Sequence, residues 1–222
     1  MKKGIKRCFI TKCVCIFLLL LLYISISALS YASEVSTHLS DSVFRLHVLA
    51  NSDSEEDQNL KYKVRDAVIK YMASISENVT SKEEVIALAN EHLEDFRAIA
   101  KQVVLENGYD YEVSVEIGIF SFPTKNYGDI SLPAGFYDSL RIKIGKAEGQ
   151  NWWCVMFPPL CFVDVSSGII PEESKEMMQA NLSEEEFGLI SKEDSEITFK
   201  FKILEFQATW PLHLLRRNRN FP

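Results

Sequence analysis

Cys154 and Cys161 are the side chains beyond residue 33 best suited to covalent chemistry. A cysteine becomes a nucleophile when a histidine takes its proton and a third group orients that histidine. Cys154 with His47 or His92 as base, and an Asn or Asp as orienter, would make a thiol or peptide hydrolase. Folding assembles such sets, so scattered positions are compatible with one. The local sequence speaks against it, because Cys154 falls inside an apparent strand with no helix start to lower its thiol pKa. The two cysteines enclose Val-Met-Phe-Pro-Pro-Leu, a short bend that would let them pair as a disulfide in an oxidising compartment. The alternative is two buried thiols in an apolar segment. His38, His47, His92 and His213 stand singly, with none of the spacings that hold a metal. No phosphate-cradling glycine loop or calcium loop occurs, so no cofactor is expected. Asp53 and Asp129 are the nearest candidates for a carboxylate pair, yet capping of a helix accounts for the Asn51-Ser-Asp53 setting.

The chain that must position these groups begins with a targeting segment. Lys2, Lys3, Lys6, Arg7 and Lys12 form a basic head without an acid, and an apolar run follows at residues 13–24. Small residues then lead to two exit sites, Ala28-Leu-Ser30 and Ser30-Tyr-Ala32, which is the layout of an export signal. A retained anchor is the alternative, since residues 13–32 match the roughly 20 needed to span a bilayer. Either way the basic end stays cytoplasmic and the rest lies across the membrane. Residues 1–32 are thus a signal peptide or an N-terminal membrane anchor. What remains holds 19 basic and 31 acidic side chains, a net charge of about −12 that disfavours nucleic acid. Its many aromatic residues are enough to fill a core, which excludes simple disorder.

Val43-Phe-Arg-Leu-His-Val-Leu49 reads as a central strand. Ser54 or Ser52 then caps a helix whose apolar stripe is Leu60, Val64, Ala67, Val68, Tyr71, Met72 and Ile75. A capping box at Ser81-Lys-Glu-Glu84 opens a second long helix, with a stripe from Val85 through His92 and Phe96 to Val104 and Gly108 beyond its end. His92 on that stripe reads as a tolerated helix residue. Tyr111 to Ile117 alternates as a half-buried strand. From Phe120 to Tyr137, the breakers Pro123, Pro133 and Gly135 forbid any regular element of length. Leu140 to Ile144 and Trp152 to Phe157 are further strands, and Pro158 and Pro159 end the latter. The acidic stretch at residues 172–196 reads as broken helix or mobile loop. A last strand follows at residues 197–203. The fold class is mixed α/β: one domain at residues 43–206 with a mixed sheet packed against a layer of two long helices. The first strand pairs in parallel with a later one and the middle strands pair antiparallel. Residues 207–222 form a basic aromatic tail.

Asn126-Tyr-Gly-Asp129, Leu132-Pro-Ala-Gly-Phe-Tyr137 and Gly149-Gln-Asn-Trp-Trp-Cys154 put glycine, asparagine and aromatics into loops, where recognition surfaces commonly lie. The core is the other place for Trp152 and Trp153. Phe44-Arg-Leu-His-Val-Leu-Ala-Asn-Ser-Asp-Ser54 and Lys61-x-Lys-Val-Arg-Asp-Ala-Val68 strongly resemble the stage II sporulation protein R family of endospore-forming Firmicutes. So do Leu132-Pro-Ala-Gly135, Leu140-Arg-Ile142, Gly149-x-Asn-Trp-Trp-Cys-Val155 and Phe157-Pro-Pro-Leu-Cys161. The tail and the acidic stretch carry none of the resemblance. It implies a non-enzymatic signal, made in the forespore and secreted into the space between forespore and mother-cell membranes. There it is required to activate a membrane-embedded, aspartic-protease-like enzyme that cleaves the pro-sigma E precursor in the mother cell. That protease is the implied partner. The shared strings concentrate polar and aromatic residues at Asn51, Asp53, Arg65, Asp66, Tyr127, Asp129, Arg141, Asn151 and Trp152, which are the expected contact residues.

Overall fold

A computed structural model describes residues 2–77, 79–161, 170 and 172–191, in two units, Met1–His38 and Leu39–Pro222. In the first unit residues 2–38 are helical, as the greater part of α1 (Lys2–Ser42). Its large apolar side chains from Val14 to Ile24 stand exposed. Among the described residues no helix is long and apolar enough to cross a membrane.

The second unit is built on a four-stranded sheet. β1 (Phe44–Leu49) lies inside it, between β5 (Gly135–Ile144) and β6 (Asn151–Phe157), with β2 (Val113–Phe122) beyond β5. β1 runs parallel to β5, Leu46 opposite Leu140, and antiparallel to β6, Leu46 opposite Cys154. β2 and β5 pair antiparallel over their full lengths. The expected parallel partner of the first strand is therefore β5.

One face of this sheet is the apolar core. Leu46 and Val48 point into it with Val115, Leu140, Ile142, Ile144, Cys154 and Met156. Three helices cover them: α2 (Glu55–Ile75), α3 (Lys82–Glu91) and α4 (Leu93–Glu106). α2 supplies Leu60, Val64, Val68 and Met72 at the three- and four-residue steps that place side chains on one stripe. Ser54 caps it by accepting a hydrogen bond from the Asp57 amide, and Ser81 does the same for α3 through Glu84. Lys82 reaches across to Asp138 of β5 at 2.6 Å and donates to the Ser40 carbonyl, joining the end of α1 to the sheet.

Two expectations need correction. The second long helix is two, bent at His92, whose backbone (φ −99°, ψ 20°) leaves the helical region while its imidazole bonds Tyr71 and Asp95. The amide of His92 still donates to Leu88 and that of Phe96 to His92, so the ladder bends without a break and the apolar stripe continues. The segment from Phe120 to Tyr137 is mostly strand. β2 runs on to Phe122, and β5 starts at Gly135. Between them lies a hairpin of β3 (Lys125–Tyr127) and β4 (Ile130–Leu132). Its breakers stand between the strands: Pro123 and Pro133 flank the hairpin, and Gly128 turns it with a positive φ of 57°. The acidic stretch, where it is described, is the broken helix of the two expected alternatives: α5 (Glu172–Asn181) and α6 (Glu184–Ile190), the latter opened by a capping box at Ser183 and Glu186. The strand expected at residues 197–203 and the tail at 207–222 lie outside the described residues.

Candidate functional site

Strand alternation sends Arg45 and His47 to the side of the sheet opposite the helices. On an open sheet that side would be wet. Here Arg45 is fully buried, as is Ser139 beside it on β5, and His47 is 7% exposed. The guanidinium of Arg45 lies 4.1 Å from the Phe122 ring centre and 4.6 Å from that of Tyr137. Its Nη2 donates to the Tyr127 hydroxyl at 2.7 Å, and that hydroxyl donates in turn to the Trp153 carbonyl. The β3–β4 hairpin is thereby folded over the face. Burial raises the Tyr127 pKa, and Arg45 offsets this in part. His47 is stacked on Trp153 at 5.6 Å and packed against Phe122. Burial lowers its pKa to about 4; the nearby Asn151 carboxamide opposes that shift, and Arg141, Arg45 and Lys143 add to it. Among the described residues neither imidazole nitrogen reaches hydrogen-bonding geometry with a partner, nor do Arg45 Nε and Nη1, Ser139 Oγ, Asn151 Oδ1 and Trp153 Nε1. Toward the rim, Arg141 lies over the Phe120 ring and is paired with Glu116, as is Lys143. Lys143 and then Arg141 hold the Glu116 carboxyl below its ordinary range against the effect of burial.

A second cluster joins the start of α2 to the β5–β6 turn. Asn51 donates to Asp57 and accepts from the Lys146 amide, and Asp53 accepts from the Gln150 amide at 2.7 Å. Asp57 is buried, which alone would raise its pKa; hydrogen bonds from Ser52, Asn51 and Tyr111 outweigh that and lower it. Lys61, buried one turn on, donates to Gln58 and to the Gln150 carbonyl. Asn51 and Asp53 thus hold a turn in place. Next to them Arg65 stacks on the Trp152 ring at 4.3 Å, Tyr62 meets that ring edge-on, and Asp66 pairs with Arg65 at 2.6 Å. Asp66 is largely exposed, and Arg65 and Trp152 partly so.

The structure therefore brings Arg65, Asp66 and Trp152 together, with Asn51 and Asp53 behind them. Tyr127, Arg141 and Asn151 lie on the opposite face of the sheet, since Trp152 and its neighbours in β6 alternate across it. Asp129, in the hairpin turn, pairs with Lys175 of α5 at 2.7 Å. Cys154 and Cys161 form a disulfide. Cys154 is on the helix face, opposite Leu46, whereas His47 is on the other face opposite Trp153. The thiol hydrolase set thus lacks a free thiol at Cys154; His47 is on the other face, and His92, on the helix side, is bonded to Tyr71 and Asp95. No group of three or more metal-binding side chains occurs among the described residues.

The sequence model of the stage II sporulation protein R family matches residues 40–167, more than half of the chain and every strand of both sheets. The chain belongs to the stage II sporulation protein R family. Stage II sporulation protein R of Bacillus subtilis (strain 168) is 40% identical over 174 residues, which cover 75% of this chain and 77% of that relative. No solved structure matches it. The stage II sporulation protein R match takes in both clusters, α2 with its capping loop and the hairpin that covers Arg45.

Sequence reading passed over Arg45, Ser139 and Glu116, and took His47 only as a base. Alternation was the available signal: a basic residue and a histidine on one side of a strand flanked by apolar runs. Nothing in that pattern says that a hairpin some eighty residues later closes over them.

Proposed function

We propose that this chain is an exported sporulation signal. It is made in the forespore, secreted into the space between the two membranes, and required there to activate the membrane-embedded, aspartic-protease-like enzyme that cleaves pro-sigma E in the mother cell. It acts by protein–protein contact and carries out no chemistry of its own. The observation that carries the reading is the 40% identity to the Bacillus subtilis stage II sporulation protein R over three quarters of the chain. The basic head and apolar run supply the means of export. A binding signal activates a protease by favouring its competent state through differential affinity for two arrangements. The contact residues we assign are Arg65, Asp66 and Trp152, an aromatic–cation stack of the kind enriched at interfaces. Asn51 and Asp53 position that stack by holding the turn that leads into β6.

The test is a reconstitution. The full chain, with its own targeting segment, is expressed in a non-sporulating cell together with the protease and its sigma precursor. Precursor cleavage that depends on the exported chain supports the reading. No cleavage, with folded chain recovered outside the membrane, overturns it. A Cys154→Ala, Cys161→Ala double variant that still drives cleavage would separate signalling from thiol chemistry.

A further inference from the structure

Arg45 brings one full positive charge into the domain and has no acidic partner among the described residues. Buried guanidinium groups ordinarily meet a carboxylate or a phosphate, because removal from water is costly unless the charge is paired and its N–H groups are bonded. Among the described residues Nε and Nη1 make no hydrogen bond, and the charge is met only by neutral groups, the Tyr127 phenol and the rings of Phe122 and Tyr137. The neighbouring Ser139 hydroxyl and both His47 nitrogens are buried and unbonded as well. Buried polar atoms without partners are rare singly, and several on one sheet face point to a missing ligand.

We propose that Arg45 anchors a carboxylate-binding site on this face of the sheet, with Tyr127 of the β3–β4 hairpin holding the ligand's place in the free protein. The Tyr127 hydroxyl sits 2.7 Å from Nη2, where an incoming carboxylate oxygen would make a shorter-range, charge-assisted bond. His47 stays neutral near pH 7, so Arg45 is the one cation at the centre and a singly charged ligand matches it better than a phosphate dianion. Ser139, next to Arg45 in register, adds a neutral hydroxyl donor. Phe122 and Tyr137 form apolar walls that exclude competing water. β4 is buried and bridged to Ser191 and the turn is paired to Lys175, so the incoming carboxylate displaces the Tyr127 side chain of β3 and leaves the hairpin in place. The inference concerns a ligand class and does not depend on the signalling reading.

Thermal unfolding of the full chain in mild detergent, followed by tryptophan fluorescence at pH 7, tests it. The probes are sodium acetate and sodium chloride at equal ionic strength. A ligand that binds only the folded state raises the midpoint, so acetate near 100 mM is expected to raise it by a few degrees and chloride is not. Arg45→Met removes the charge while keeping an apolar chain of similar reach, and it should abolish the acetate shift. Tyr127→Phe removes the competing hydroxyl and should enlarge the shift. An N-acetylated peptide with a free C-terminal carboxylate, compared with an amidated one bearing glutamate, assigns the carboxylate to a chain end or to a side chain. Equal shifts in wild type and Arg45→Met would mean a general salt effect and overturn the site. No acetate shift in either wild type or Tyr127→Phe would overturn it too, even if Arg45→Met does not fold.

Discussion

His47 is a basic side chain kept uncharged by its surroundings. Stacked on Trp153 and facing Arg45, Arg141 and Lys143, it has a pKa of about 4, against 6.5 when solvated. Between those two values the unfolded chain binds a proton that the fold rejects. Stability is therefore complete above about pH 6.5 and falls as pH drops toward 4, by on the order of 3 kcal/mol. Urea unfolding of the full chain at about pH 4.5 and 7.5 should show that loss, and His47→Gln should show less of it. Carboxylates held low, such as Asp57 and Glu116, lose their contribution below their own ordinary range, so their window lies under that of His47. At this scale the sequence was only partly legible. Ser54 read correctly as the cap of α2, whereas Asn51 and Asp53, read as capping, bond the β5–β6 turn, a partner nearly a hundred residues away that a local pattern does not reveal. Arg45 was illegible because alternation tells which side a residue faces and not what later folds over that side.

Elements were easier to read where one local force decides. α2 follows from its apolar period and its Ser54 cap, and the strand ends follow from Pro123, Pro133 and Pro158. The bend at His92 escaped notice because the apolar stripe runs through it unchanged. The β3–β4 hairpin escaped because breakers were taken to forbid strands, when they mark the gaps between short ones. The β5–β6 turn approaches the start of α2 so closely that a Cβ at Gly149 would overlap the Ser52 carbonyl. Backbone cannot swing aside as a side chain can, so Gly149→Ala should cost about 2 kcal/mol, read from the shift in urea midpoint at constant slope. At the other end of β6, the Cys154–Cys161 bridge closes a short loop, and loop-closure entropy gives it about 2 kcal/mol. The double alanine variant should lose that much stability and, in the reconstitution, keep its signalling.

For the molecule as a whole, the family resemblance was legible because long strings occur in the right order, and the mixed sheet followed from the element order, with two helices between the first strand and the next. Strand order was not legible, since it depends on contacts far apart in sequence. If Arg65, Asp66 and Trp152 form the contact, Asp66→Ala should sharply reduce precursor cleavage while changing unfolding by less than about 1 kcal/mol, because its pair with Arg65 is a surface one. Arg65→Ala should abolish cleavage at a cost of about 1 to 2 kcal/mol from its lost stacking on Trp152 and Tyr62. An equal loss of folding and cleavage would instead make Arg65 a structural residue. The place of β1 has a kinetic meaning. Both of its partners, β5 and β6, are made about a hundred residues after it, and high contact order slows folding. If the chain is exported as proposed, with its basic end held on the near side, Phe44–Leu49 follows that segment most closely and reaches the far side before either neighbour. On that reading the sheet closes only when β6 has followed, and translocation, not local propensity, would time that step. The strand that begins the family's longest string is also the one that waits.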